Sequence, residues 1–326
     1  MKKFALFLLT VFIIPIIIAG CKSSISGGVT ADIPVENNLE PIALFCQKDS
    51  CSKNLEFLLN FAKESINCAF YDLNLKNIID VLERKSSEAD VKIVIDNENY
   101  DKQVRGNVKI DNNNQLMHNK FCIIDNKAVW SGSFNPTEND NEINDNNAVV
   151  FYSSLLAENY ENEFNELWNE NFGSGSRVKN PIIYLNNKKI ENYFCPEDDC
   201  ELHLIEQIRN AKKSVYFMTF SFTSEAIADE ILFRDNIGIK GVFESRGMSQ
   251  FSEYERLKGF GLDVKKDKNK GNMHHKVFII DNETVATGSY NPTESGNSRN
   301  DENLLIIHDK EIASAYLEEF QRIFNQ

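Results

Sequence analysis

Two histidines, two lysines and two asparagines stand at matching places in this 326-residue chain, and together they suit attack on a phosphodiester. His118, Lys120, Asp125, Gly132, Ser133 and Asn135 spell H-x-K-x4-D-x6-G-S-x-N, and His274, Lys276, Asp281, Gly288, Ser289 and Asn291 spell it again 156 positions later. Such an attack needs a nucleophile, a proton donor for the leaving oxygen, and positive charge on the equatorial oxygens. Two imidazoles and two ammonium groups supply all three. No metal or other cofactor is expected for this chemistry.

These side chains converge only if the elements that carry them are repeated too. In a strand, residues i and i+2 face one side, so His118 projects with Lys120 and His274 with Lys276. The G-S-x-N segment follows a strand of its own and brings a hydroxyl and an amide to the same edge. At the same offset Met117, Pro136, Thr137, Glu138 and Asn147 recur as Met273, Pro292, Thr293, Glu294 and Asn303. The apolar stripe Leu156, Tyr160, Phe164, Leu167 recurs as Ile312, Tyr316, Phe320, Ile323, at helical period. Earlier in each half the offset is 149, where Cys46, Cys51 and Ser65 match Cys195, Cys200 and Ser214. The first half predicts helices over 54–64, 75–85 and 155–169 and strands over 65–71, 91–95, 120–124, 128–131 and 148–152. Alternating strands and helices predict an α/β fold. Two similar halves (41–172 and 182–326), each a mixed sheet flanked by helices, are joined by a linker over 173–181. Packed about a pseudo-two-fold axis, they deliver both motifs to one pocket, and one chain suffices as a monomer.

The doubled motif resembles the phospholipase D superfamily, over roughly residues 42–326. The resemblance implies two phospholipase D-like halves, a covalent phosphohistidine released by water or an alcohol, and no metal. It makes His118, Lys120, Asp125, His274, Lys276 and Asp281 the catalytic set. Ser133, Asn135, Ser289, Asn291 and Glu302 are expected to bind or orient the phosphate. Asp125 and Asp281, at strand ends, are expected to act by ordering turns. In the family a carboxylate shortly after G-S-x-N often bonds the motif histidine. Glu302 fits that task for His274, whereas the equivalent Asn146 cannot supply charge. A carboxylate favours imidazolium, so His274 is expected as the general acid and His118, kept neutral, as the nucleophile. Family members act on phospholipid head groups or nucleic acids. Phospholipid is the first expectation here and nucleic acid the alternative; a non-catalytic surface interaction protein is a third reading.

The ends and composition frame this choice. Lys2 and Lys3, an uncharged apolar run from Phe4 to Gly20, and Ile18-Ala19-Gly20-Cys21 resemble a lipoprotein leader. Residues 1–20 are expected to be removed, Cys21 lipidated and 21–40 left as a tether. That puts the protein in the cell envelope, membrane-attached through its N-terminus on the outer side of the cytoplasmic membrane or in the outer membrane. The formal net charge of −14 counts against a dedicated nucleic-acid binder. Lys265, Lys266, Lys268 and Lys270 form a basic run into the second motif, read either as a solvated loop or as a funnel for anionic substrate. In an oxidising compartment Cys46–Cys51 and Cys195–Cys200 are expected as local disulfides, while Cys68 and Cys122 read as buried free thiols. His275 is expected to point away from the pocket as a bystander, and His203 and His308 to be surface residues.

Overall fold

The computed structural model describes residues 33–326 except 101–103, 235 and 247, and the described chain is one compact unit. The expected leader, Cys21 and the first part of the tether lie outside the described residues. The rest of that tether is tied down. Val35–Glu36 pairs in parallel with the strand Ile182–Leu185, and Glu36 accepts hydrogen bonds from Ser153 Oγ and Ser154 N. Among the described residues no helix is long and apolar enough to cross a membrane.

Each half is built on a mixed sheet with the same strand order. In the first half Ile42–Phe45, Asn147–Tyr152, Ala128–Gly132, Lys120–Ile124, Ser65–Phe70, Asp90–Ile95 and Asn107–Ile110 lie side by side. In the second half Lys188–Cys195, Glu302–Ile307, Thr284–Gly288, Lys276–Ile280, Ser214–Thr219, Gly238–Phe243 and Asp263–Lys266 repeat that order, with Ile182–Leu185 and Val35–Glu36 added at one edge. The motif strands are central, and all five residues of each are buried.

Between the sheets lie the two long helices Ser154–Trp168 and Lys310–Phe324. Tyr160, Phe164, Leu167, Tyr316, Phe320 and Ile323 share a single apolar core with Phe121, Val129, Val277 and Val285 of both sheets. The stripes read from the sequence are therefore the contact between halves. Outer helices, Cys51–Asn60 and Lys76–Lys85 in one half and Cys200–Asn210 and Glu225–Leu232 in the other, cover the opposite faces.

The recurrence of P-T-E after the motif has a local cause. Thr137 and Thr293 cap short helices by accepting from Asp140 N and Gly296 N. The Pro136 carbonyl accepts from Asn74 N and Leu75 N, and the Pro292 carbonyl from Thr223 N and Ser224 N. The motif glycines are also dictated by backbone. Gly132 and Gly288 have φ of 153° and 145°, and a Cβ on either would collide with the main-chain oxygen of Asn147 or Asn303.

Cys46–Cys51 and Cys195–Cys200 are bonded. Cys68 and Cys122 are also bonded, which corrects the expectation of free thiols. Cys68 and Cys122 stand directly opposite each other on antiparallel neighbours, with Cα atoms 4.1 Å apart. Periodicity marked both as inward-facing but said nothing of which strands are neighbours.

Candidate active site

The two motif strands are entered through the opposite half. His118 N donates to the Asp301 carbonyl at 2.9 Å, and His274 N donates to the Asp145 carbonyl at 2.8 Å. Met117 bridges in parallel to Asp301, and Met273 to Asp145. These reciprocal contacts are the pseudo-two-fold axis seen at atomic scale, and they bring both histidines to one place.

The lysines are locked by their own strands. Lys120 Nζ donates to the His118 carbonyl at 2.7 Å and Lys276 Nζ to the His274 carbonyl at 2.9 Å. Lys120 lies over the Tyr71 ring and Lys276 over Phe220, at 4.9 and 5.0 Å. The same two rings meet the imidazoles edge-on, Tyr71 against His118 and Phe220 against His274. This aromatic pair recurs at the 149-residue offset, a signal present in the sequence but not used. His118 and His274 retain only 7% and 8% of their surface, and Lys120 none.

Burial and mutual repulsion set the protonation states. Burial pushes the Lys120 ammonium well below the usual lysine range, and Lys276 adds to this; burial also draws Lys276 down, to about 7. Both imidazoles are held well below the ordinary histidine value, by burial first and then by the two ammonium groups. The free site thus holds neutral histidines. Glu302 is pushed up by burial, to about 7, with Lys120 opposing.

Glu302 corrects the sequence expectation. It lies beside His118, not His274, with Oε1 3.3 Å from Nδ1 at an angle short of a hydrogen bond. Asn146 in turn serves His274, its Oδ1 2.8 Å from Nδ1. The exchange follows from the crossed entry of the strands: Glu302 directly follows Asp301, whose carbonyl holds His118. A second carboxylate also stands near His274. Asp140 Oδ2 is 3.6 Å from His274 Nδ1 and accepts from both N and Nδ2 of Asn135. In the second half Glu302 Oε2 accepts from Asn291 N, and the position equivalent to Asp140 is Gly296. The first half therefore carries its carboxylate at 140 and the second at 302, each reaching the other half's histidine. Comparing T-E-N-D with T-E-S-G in the two copies would have revealed Asp140.

The remaining expected residues divide. Ser133 Oγ accepts from Asn147 N and donates to Asn146 Oδ1, while Ser289 Oγ accepts from Asn303 N, so both hydroxyls brace the pocket wall. Asp125 and Asp281 are not in the pocket. They sit past the far ends of the motif strands with φ near 55° and accept from three backbone amides each, Lys63–Ser65 and Lys212–Ser214. Those bonds hold both carboxyls below their ordinary range despite partial burial.

His275 does point away from the pocket, but it is fully buried between the halves, with Nδ1 on Asn147 Oδ1 and Nε2 3.3 Å from Glu319. His203 stacks on Tyr193 and His308 bonds Glu191 and Thr284, so neither is a plain surface residue. In the basic run, Lys265 and Lys268 donate to carbonyls at the end of the last helix, and Lys266 pairs with Glu255. Contacts at the C-terminal end of the last helix occupy Lys265 and Lys268, and an ion pair occupies Lys266.

Comparison with known proteins agrees with this geometry. Residues 55–168 and 204–324 match the family described as "Cardiolipin synthase, PLD-like domain". A phospholipase D of Rickettsia conorii is 33% identical over 140 residues, 42% of this chain and 70% of the relative. A mitochondrial cardiolipin hydrolase of Xenopus laevis is 32% identical over 138 residues, 40% of this chain and 66% of the relative. The crystal structure of phosphatidylserine synthase from Haemophilus influenzae shares the fold, with a TM-score of 0.69 over 88% of this chain and 87% of that one, at 12% identity. With both halves matched and the doubled motif gathered into one site, the chain belongs to the phospholipase D superfamily.

Proposed function

We propose that this protein is a phospholipase D that cleaves phospholipid head groups through a phosphohistidine on His118, with His274 as proton donor. The chain is a phosphodiesterase-type hydrolase of its family. The observation that carries the reading is the single buried cluster of both imidazoles and both lysines, in which each lysine acts on both imidazoles.

The chemistry runs as follows. A neutral His118 with Nδ1–H turned to Glu302 presents the Nε2 lone pair to phosphorus. The anionic phosphodiester enters against Lys120 and Lys276, offsets their repulsion and lifts the pKa of His274, which takes up a proton. Nε2 bonds phosphorus as the P–O bond to the leaving alcohol breaks, and His274 gives that oxygen its proton. Water, or a competing alcohol, then returns a proton to His274 and displaces the phosphoryl group from His118. Lys120 and Lys276 stay paired with the equatorial oxygens throughout. We further propose a lipid anchor at Cys21 that keeps this site beside a bilayer in the cell envelope, with one chain forming one complete site.

The test is a product assay. Given phosphatidylcholine, phosphatidylethanolamine or cardiolipin with ethanol, the protein should form the phosphatidylethanol-type product, and H118N should not. Nicked plasmid DNA with untouched lipid would replace this reading with a nuclease.

Asp140 provides a finer test. An anion beside His274 favours its imidazolium, so D140N should lower the pKa of the acid and move the basic limb of kcat/KM down by about one pH unit. The double exchange D140G/N146E imports the second half's arrangement and should return the limb toward its original place. A limb unmoved in D140N would remove Asp140 from the acid's surroundings.

A further inference from the structure

Outside the active site the pseudo-symmetry also breaks at a partly buried cluster, and there too it breaks in charge. Arg322 of the second half bridges Glu319 to Asp145 of the first, and Glu319 also meets His275. Offset by 156 residues, Glu163 stands for Glu319, Asp301 for Asp145 and Asn119 for His275, but the place of Arg322 is taken by Glu166. A fourth carboxylate, Glu197, joins from the second half, at the position equivalent to Lys48. The equivalence of that segment is structural: Asp49 accepts from Phe45 N as Asp198 accepts from Phe194 N. Where one half balances its carboxylates with a guanidinium, the other sets four carboxylates together.

One oxygen each of Glu163, Glu166 and Glu197 lies within 4.8 Å of the others. Glu163 is 5% exposed and Asp301 3%. Asp301 Oδ1 accepts from Gly173 N, while its Oδ2 is buried with no partner; Glu197 Oε2 is likewise buried and unpartnered. Asp301 acts electrostatically on Glu163, and Glu197 on both of them. Among the described residues no cation pairs with any of the four; Arg177 and Lys179, which line the adjoining cavity of about 390 Å³, are bonded to Asp199 and Glu158. The Gly175 backbone lies against Glu166 and Glu197, where a Cβ would collide with both. The unpartnered oxygen of Asp301 is the counterpart of a carboxylate that its twin satisfies with Arg322.

We propose that Glu163, Glu166 and Glu197 bind a hard divalent cation, calcium the best match, with Asp301 beside it, in the place that Arg322 fills in the other half. All-carboxylate donors select calcium, magnesium or manganese over softer metals. Oxygens up to 4.8 Å apart fit across one ion with bond lengths of about 2.4 Å, water completing the shell. The role is structural: Glu163 accepts from Asn119 Nδ2, the residue between His118 and Lys120, so the ion braces the motif strand and takes no part in the phosphodiester chemistry.

The test is calcium titration of the full-length protein by calorimetry, with thermal unfolding in EDTA and in excess CaCl2. Wild type should bind one calcium and gain about 5 °C at 100-fold saturation. E197Q should bind at least tenfold more weakly. E166R, which copies Arg322, should bind none and unfold in EDTA no lower than wild type. Absence of saturable binding and of any stability change with calcium, magnesium or manganese would overturn the proposal. So would an undiminished response in both variants. Because none of these readings uses substrate, failure here leaves the phospholipase reading standing, and failure of the lipid assay leaves this one standing.

Discussion

H118N is expected to lose at least about 10⁴-fold in phosphodiester turnover, while a rapid quench of wild type yields a phosphorylated peptide that contains His118. The asymmetry between the two histidines underlies this assignment. Both are neutral in the free site because burial and the two lysines oppose imidazolium, so either could in principle attack. Only His118 has a carboxyl group as the nearest group to Nδ1, Glu302 at 3.3 Å, against an amide oxygen for His274. A carboxyl group beside Nδ1 favours the tautomer that leaves Nε2 unprotonated and, when ionised, stabilises the charge as the N–P bond forms. H274N gives the contrasting result. With a p-nitrophenyl phosphodiester, whose leaving group needs no proton, it should still release one equivalent of nitrophenol in a burst and then stall. A quenched peptide carrying His274 instead would exchange the roles, and melting temperatures of both variants within a few degrees of wild type would exclude unfolding as the cause.

How much of this was legible in the sequence depends on distance along the chain. The motif strand Lys120–Ile124 and the following strand from Ala128 were readable almost to the residue, because the turn at Asp125-Asn126-Lys127 separates two apolar runs and Gly132 ends the second. The turn-anchoring role of Asp125 was readable from its place at a strand end, but its partners Lys63–Ser65 were not, because they lie 60–62 residues before it and their counterparts 67–69 before Asp281. Which half a residue serves was not readable. Glu302 and Asn146 were assigned to the histidines of their own copies, and the structure exchanges them, since a duplicated sequence looks the same whether its halves meet in parallel or cross. The Cys68–Cys122 bond failed to show for a related reason. Strand adjacency separated by 54 residues is a property of topology and not of pattern. Charge symmetry was legible but unread: aligning Glu166 with Arg322 requires no coordinates.

K120M is expected to cost on the order of 10³ in kcat/KM and to move its acidic limb to higher pH. The amplitude follows from location. Lys120 is fully buried, tethered to the His118 carbonyl and set over Tyr71, so no neighbouring lysine can swing into its place. The shift follows from sign. After burial, Lys120 is the largest influence holding the His118 pKa down. Its loss raises that pKa, so imidazolium persists to higher pH and the lone pair needed for attack appears later. K276M should behave differently. Lys276 is the leading charge on His274 and a lesser one on His118, so its loss lifts the acid's pKa more than the nucleophile's. The basic limb should then extend to higher pH with a smaller change on the acidic side. A purely architectural role for the lysines would lower both profiles without moving either limb. Full pH profiles of kcat/KM for the two variants, on one soluble phosphodiester, therefore separate electrostatic control of two histidines by two lysines from loss of packing.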